Sequence, residues 1–434
     1  MSSSTQPQMN PSVPPTGEAL HYPVVIVGGG AAGITVASQL LAKNNTLKLA
    51  IIEPSDRHYY QPAWTLVGGG EYKAEDTSRS QARCIPDGAM WIKDYADTFD
   101  PDNNVVVTRS NKRVTYDYLV LCPGIQIDWN SIEGLQDALG KNGVCSNYAF
   151  EYAPYTWETI RDFQGGNALF TYPATPIKCG GAPQKIMYMA DDAFRKSGVR
   201  DKTKVMFCSA VGAIFPVSAY AKPLMDVVAR RDIDLKFKHN LKAIRADKKE
   251  AVFDVTTDNG VQEVAIPYDM IHVTPPMSAP DFIKNSKLAV TEGASKGWVN
   301  VNKDTLQHNV YPNVFSLGDA SSLPTSKTAA AIRRQAPVLV ENLLALMNAK
   351  SLNGSYGGYT CCPLITGYGK VIMAEFDYSN QPMSTFPFDP REERYSMWVM
   401  KRYVLPWVYW NRMLKGKQFE GEVLNLKGWK PDGN

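Results

Sequence analysis

The stretch that most narrows what this chain can fold into is Gly28-Gly29-Gly30-Ala31-Ala32-Gly33. It follows the apolar run Val24-Val25-Ile26-Val27 and precedes residues 34–41, whose pattern is helical. A short apolar run that ends in glycines reads as a strand buried in a parallel sheet. A second such run, residues 47–52, ends at Glu53, twenty positions after Gly33. Each part has a physical task in holding a dinucleotide. Gly28 permits the sharp turn, Gly30 lets backbone approach a pyrophosphate, and Gly33 lets helix and strand pack closely. Ala31 and Ala32 open the helix whose N-terminus faces the phosphates, and Glu53 accepts from ribose hydroxyls.

Glu53 suits an unphosphorylated adenosine ribose and does not separate NAD from FAD. A later turn does. Residues 314–317 read as a strand leading into Gly318-Asp319-Ala320, and Asp319 offers acceptors to a polyol such as the ribityl chain of FAD. Ser326-Lys327-Thr328 then opens a helix over 327–339. Its N-terminal dipole, with Lys327, suits negative charge on a reduced flavin. A second α/β block starts near Asn167, with strands expected at 205–208, 235–239 and 251–256 and a helix at 221–230. Its equivalent turn, residues 209–215, holds only Gly212. Residues with a Cβ crowd a pyrophosphate, so this block is not expected to bind NAD(P)H.

At 434 residues the chain is long enough for two or three domains with real cores. A net charge of +3 gives no argument for nucleic acid as a partner. The seven cysteines are Cys84, Cys122, Cys145, Cys179, Cys208, Cys361 and Cys362. An odd number in a chain this long is not a secreted disulfide framework. No Cys-x-x-Cys pair or zinc spacing occurs, so no metal is expected. Most of the thiols read as buried structural groups. Cys179 stands out because it sits in a loop bracketed by Gly and Pro, between Lys178 and Lys185.

Three runs carry a family resemblance: Arg57-His58-Tyr59-Tyr60-Gln61-Pro62, residues 176–185 around Cys179, and Cys362-Pro363-Leu364-Ile365-Thr366-Gly367. Together they resemble sulfide:quinone oxidoreductases, in the branch that includes the mitochondrial enzymes. The likeness extends from Val24 to about Gly416. It implies an α/β fold of two Rossmann-type domains, glutathione-reductase-like, with a C-terminal amphipathic, membrane-associated segment. The divisions expected are a disordered tail (1–21), an FAD domain in two parts (22–150 and 291–350), a second Rossmann-like domain (151–290) and a C-terminal region (351–434). The resemblance further implies oxidation of hydrogen sulfide with FAD and a cysteine pair, and transfer of electrons to a quinone. By motif position that pair is Cys179 and Cys362, and Gln61 and Gly124 join the cofactor contacts. Cys361 departs from the family pattern and leaves open which of the adjacent thiols is used. Exchange at the pair requires an accessible sulfur and a good thiolate leaving group. A small acceptor (sulfite, a thiol or cyanide) would clear the sulfane sulfur. His58 and His272 are candidates for a base, each with a structural role as the alternative. A type II NADH:quinone oxidoreductase is the alternative enzyme, and homo-oligomerisation is left open.

Residues 394–415 hold Trp398, Trp407 and Trp410, three tyrosines and five basic side chains. Pro406 is expected to split them into two short helices. Aromatic rings with basic side chains suit the headgroup boundary of a membrane, and Tyr368 and Phe376 are expected as walls of a quinone pocket. Residues 1–20 carry no Lys or Arg, unlike a signal or transit peptide. A peripheral membrane protein on the cytoplasmic face is therefore expected.

Overall fold

The computed structural model describes residues 20–418; the expected tail, apart from Leu20 and His21, lies outside them. A seven-stranded sheet is built around Leu20–Val27 (β1), which lies parallel between Leu49–Ile52 (β2) and Arg113–Leu121 (β3). Ala89–Ile92 extends the sheet beyond β2, and Val314–Ser316 pairs with the end of β3. The parallel centre is formed by runs such as Val24-Val25-Ile26-Val27, buried in one core with residues of the first helix and of the segment 288–306. Ala31–Lys43 (α1) follows β1 directly. β1 starts at Leu20, two residues before the sequence reading placed it, and His21 Nδ1 meets Thr115 Oγ1 at 3.0 Å across the sheet.

A five-stranded sheet carries the second α/β unit. Its order is Val144–Cys145, Met270–His272, Gly166–Tyr172, Thr203–Ser209, Asp234–Phe237. A three-stranded antiparallel sheet over 239–267 flanks it. Ala182–Lys196 (α2) covers one face, presenting Ile186, Met187, Met189 and Ala190 to the core. Ala329–Met347 (α3) packs against α1 in the first unit. Thr360–Gly367 (β4) and Lys370–Phe376 (β5) form an antiparallel hairpin, with β4 lying along α2.

The C-terminal segment differs from its expected form. Tyr395–Val399, Met400–Val404 and Leu405–Asn411 run on as one helical stretch, the middle turn being π-wound. Pro406 sits in the first turn of the last piece, where its missing N–H is least costly, and the wider turn before it makes room for the ring. Among the described residues no helix is long and apolar enough to cross a membrane.

Candidate active site

One elongated cavity runs from the glycine turn after β1 to the C-terminal helix. At the near end, Gly28 has φ +104°, and a Cβ there would stand 2.3 Å from the Cys122 carbonyl oxygen. A Cβ on Gly33 would stand 1.8 Å from the Gly28 carbonyl oxygen. These two glycines let β1, β3 and α1 close up beneath the cavity, and neither lines it. Gly30 faces open space, and α1 begins there without a side-chain cap. Its first N–H groups are thus left for an anion. Ala31, Ala32 and Gly124 line the cavity, and a Cβ on Gly124 would meet nothing within 4 Å. Glu53 accepts from Gly29 N at 2.7 Å and Ser55 N at 2.8 Å, while burial pushes its carboxyl up. The open backbone, free helix end and placed acid fit the adenosine diphosphate half of FAD.

Asp319, Lys327, Gln61 and Lys178 line the cavity further along. Lys327 Nζ donates to the Asp319 and Ser321 carbonyls at 2.7 and 3.0 Å and lies 3.7 Å from the centre of the Trp298 ring. Burial pushes it down to about 8. Its ammonium is therefore anchored to backbone, and the open donors at this point are the first N–H groups of α3. Thr328 caps that helix by accepting from Ala331 N at 3.0 Å. Lys178 Nζ donates to Gln61 Oε1 at 2.8 Å.

Cys179 stands three residues before α2, with φ +56°, a strained value for cysteine. Its N–H donates to the Lys327 carbonyl at 2.8 Å, which ties the loop to the flavin end of the cavity. The Cys362 thiol faces it closely enough to bond to its sulfur. That thiol donor, together with Lys185 Nζ at 3.0 Å, holds Cys179 well below the usual thiol range despite burial. Cys362, on the donor side of the pair, is held well above it. Of the two flanking lysines only Lys185, one turn into α2, reaches the sulfur; Lys178 is turned to Gln61.

Alternation along β4 separates the adjacent thiols. Cys362 is fully buried against the second core with Cys179, whereas Cys361 lines the cavity and donates to Met373 Sδ at 3.3 Å. The approach of β4 to α2 depends on Gly181, where a Cβ would fall 2.2 Å from Leu364 Cδ2. Further along, Asp192 accepts from Tyr368 N at 2.7 Å and from Arg231 Nη1 at 2.6 Å.

Beyond the cysteines the cavity is walled by Pro363, Phe386, Met400, Leu405, Val408 and Met413. Tyr368 and Phe376, expected as walls, do not line it. Tyr368 donates to the Gly69 carbonyl at 2.6 Å, and Phe376 is packed in the second core. Lys401 is buried at the cavity wall, donates to the Pro62 carbonyl at 2.8 Å and is pushed down to about 7 by burial. Glu375 accepts from Tyr359 Oη at 2.6 Å and Thr385 N at 2.8 Å. Lys401 and Glu375 escaped the sequence reading because neither lies in a glycine- or cysteine-marked run. In the sequence Lys401 counts only among the basic side chains of residues 394–415, and the one signal for Glu375 is a lone carboxylate in an apolar run. Both histidines are neutral: burial takes His58 to about 4 and His272 to about 3. His58 donates from Nδ1 to the Gly29 carbonyl at 3.1 Å and accepts from Tyr409 Oη at 2.6 Å, joining the glycine turn to the C-terminal helix.

A dinucleotide cradle against a thiolate–thiol pair defines a flavin-dependent oxidoreductase of the disulfide-exchanging class. The pyridine nucleotide-disulphide oxidoreductase family matches residues 22–153. The mitochondrial sulfide:quinone oxidoreductase of Mus musculus is 48% identical over 396 residues, covering 91% of this chain and 87% of the relative. That of Schizosaccharomyces pombe is 37% identical, with 92% of each chain covered. The sulfide:quinone oxidoreductase of Aquifex aeolicus has the same fold (TM-score 0.77, 22% identity, 93% of each chain). The chain belongs to the sulfide:quinone oxidoreductase family and is an FAD-dependent oxidoreductase.

Proposed function

We propose that this protein oxidises hydrogen sulfide at Cys179 and Cys362 and passes two electrons through FAD to a quinone. The observation that carries the reading is the Cys179 sulfur, 3.0 Å from Lys185 Nζ at the junction between the dinucleotide cradle and the buried Cys362. In the oxidised pair the two sulfurs are bonded. Hydrosulfide attacks the Cys362 sulfur, the bond between the cysteines breaks, and its electron pair leaves on Cys179. The products are a Cys362 persulfide and a Cys179 thiolate, which Lys185 stabilises. FAD held in the cradle would supply the acceptor for the two electrons released when the bond between Cys179 and Cys362 re-forms. Sulfite, a small thiol or cyanide then removes the outer sulfur and leaves the Cys362 thiolate.

The apolar chamber between Pro363 and Met413 suits a quinone ring, with Lys401 as a cationic donor at its wall. Tyr403 and Trp407, on the helical stretch that forms this wall, are more than half exposed. We place a membrane surface against them. The Mus musculus and Schizosaccharomyces pombe relatives are named mitochondrial, in contrast to the cytoplasmic face expected from residues 1–20. Anaerobic titration tests the proposal: sulfide should bleach the bound flavin, a quinone should restore its colour, and NADH should do nothing. Bleaching by NADH alone would select the type II NADH:quinone oxidoreductase reading.

A further inference from the structure

The cysteine pair has polar neighbours that neither the cradle nor the apolar chamber uses. Tyr148 is 3% exposed, lines the cavity, and its hydroxyl has no hydrogen-bond partner. The Thr274 hydroxyl lies beside it and is also unpartnered; the two approach without forming a bond of normal geometry. Tyr172 ends its strand with its hydroxyl 3.5 Å from where a Cβ on Gly180 would stand. Both phenols are close enough to feel the charge of Cys179 and of Cys362. Ile177, Ala182 and Met277 pack around Tyr148, and Lys178 Nζ lies 5.9 Å from the centre of its ring and donates to its carbonyl at 3.2 Å.

A buried hydroxyl without a partner is costly, so a native structure that keeps one calls for a reason. Burial raises both phenols, Tyr172 to about 12, and keeps them protonated at neutral pH. The Tyr148 hydroxyl is a donor that lacks an acceptor, and both rings pack in one cluster with Cys179. Cys362 is 0% exposed and does not line the main cavity.

Building on the function proposed above, we infer that the Tyr148 and Tyr172 hydroxyls bind the incoming hydrosulfide anion and hold it against Cys362. The phenols keep their protons throughout. The hydrosulfide sulfur bonds to Cys362 and retains its hydrogen, and the electron pair of the broken disulfide goes to Cys179. No further oxidant enters this step.

The test is Tyr148→Phe and Tyr172→Phe in the full chain loaded with FAD. Flavin bleaching is followed anaerobically against sulfide concentration, and melting of the sulfide-free protein is measured in parallel. For Tyr148→Phe the half-saturating sulfide concentration should rise about tenfold, the worth of one hydrogen bond to a charged group. Its melting temperature should stay level or rise, because an unpartnered hydroxyl has been removed. Tyr268→Phe removes an equally unpartnered phenol in a different core cluster and should leave the sulfide dependence unchanged. An unsubstituted protein that sulfide does not bleach would overturn the functional reading as well. Normal bleaching of that protein, with the same half-saturation in Tyr148→Phe, overturns this inference alone. So does a change confined to the sulfite dependence, which would assign the phenols to the sulfur acceptor.

Discussion

The two α/β units of this protein use the same strand–turn–helix step for different ends. In the first, β1 turns through Gly28, Gly30 and Gly33 into α1, and the backbone closes to distances that no Cβ tolerates. In the second, Thr203–Ser209 turns through residues 210–217 into Ser218–Arg230. Val211, Gly212 and Ala213 are exposed there, and a Cβ on Gly212 would meet nothing within 4 Å. Neighbouring α2 instead brings Cys179 and Lys185 to the first unit's cavity. Topology alone therefore does not make a dinucleotide site. The close approach does, and it shows only where glycine is obligatory.

The sharpest way to break this contrast is to separate chemistry from cofactor binding. Cys179→Ser should keep its yellow colour yet lose sulfide-driven bleaching by on the order of 10⁴-fold or more, the scale of removing an essential reacting group. Near-normal stopped-flow bleaching would refute its role. Gly28→Val should do the reverse. Backbone strain and overpacking against Cys122 cost about 3 kcal/mol, and the purified protein should be depleted of flavin by absorbance.

Lys185→Met acts on the same sulfur without touching the cradle. Losing the ammonium raises the Cys179 pKa, so the fraction of thiolate falls at any pH below the new value. In the reduced protein the pH midpoint of iodoacetamide labelling at Cys179 should move upward; an unmoved or lower midpoint rejects the pairing. Trp407→Ala should weaken binding to anionic vesicles about tenfold, close to 1.4 kcal/mol of lost apolar burial, as read by cosedimentation. At the bottom of the scale, Gly212→Ala should leave flavin content and melting within about 0.5 kcal/mol of the original. A loss of flavin there would show that the second turn does contact the cofactor.

Much of the first unit was legible because its signals are local. Val24 to Gly33 carries strand, turn and helix in ten residues, and Glu53 ends the next strand. The helix opening after Lys327 was legible for the same reason, with Thr328 in the capping position. The Lys327 ammonium was not: its bonds to the Asp319 and Ser321 carbonyls follow from how the chain folds back on itself. The pocket walls misled for a similar reason. Tyr368 and Phe376 are aromatic and near the cysteine motif, but Tyr368 sits in the turn of the β4–β5 hairpin and bonds the Gly69 carbonyl, and Phe376 packs in the second core. The helical stretch across Pro406 was misjudged because a π-wound turn absorbs a proline that a regular helix would not.

By itself the sequence determined a dinucleotide cradle, a second unit without one, and a cysteine in a loop bracketed by Gly and Pro, since each is written in a short run of neighbouring residues. Tertiary structure decided the rest. It brought Cys362 across 183 positions to Cys179, chose Lys185 over Lys178 as the partner of that sulfur, and set Lys401, Tyr148 and Tyr172 around the site. These are contacts between distant segments. They depend on packing distances such as that between Gly181 and Leu364, which no local pattern of residues encodes.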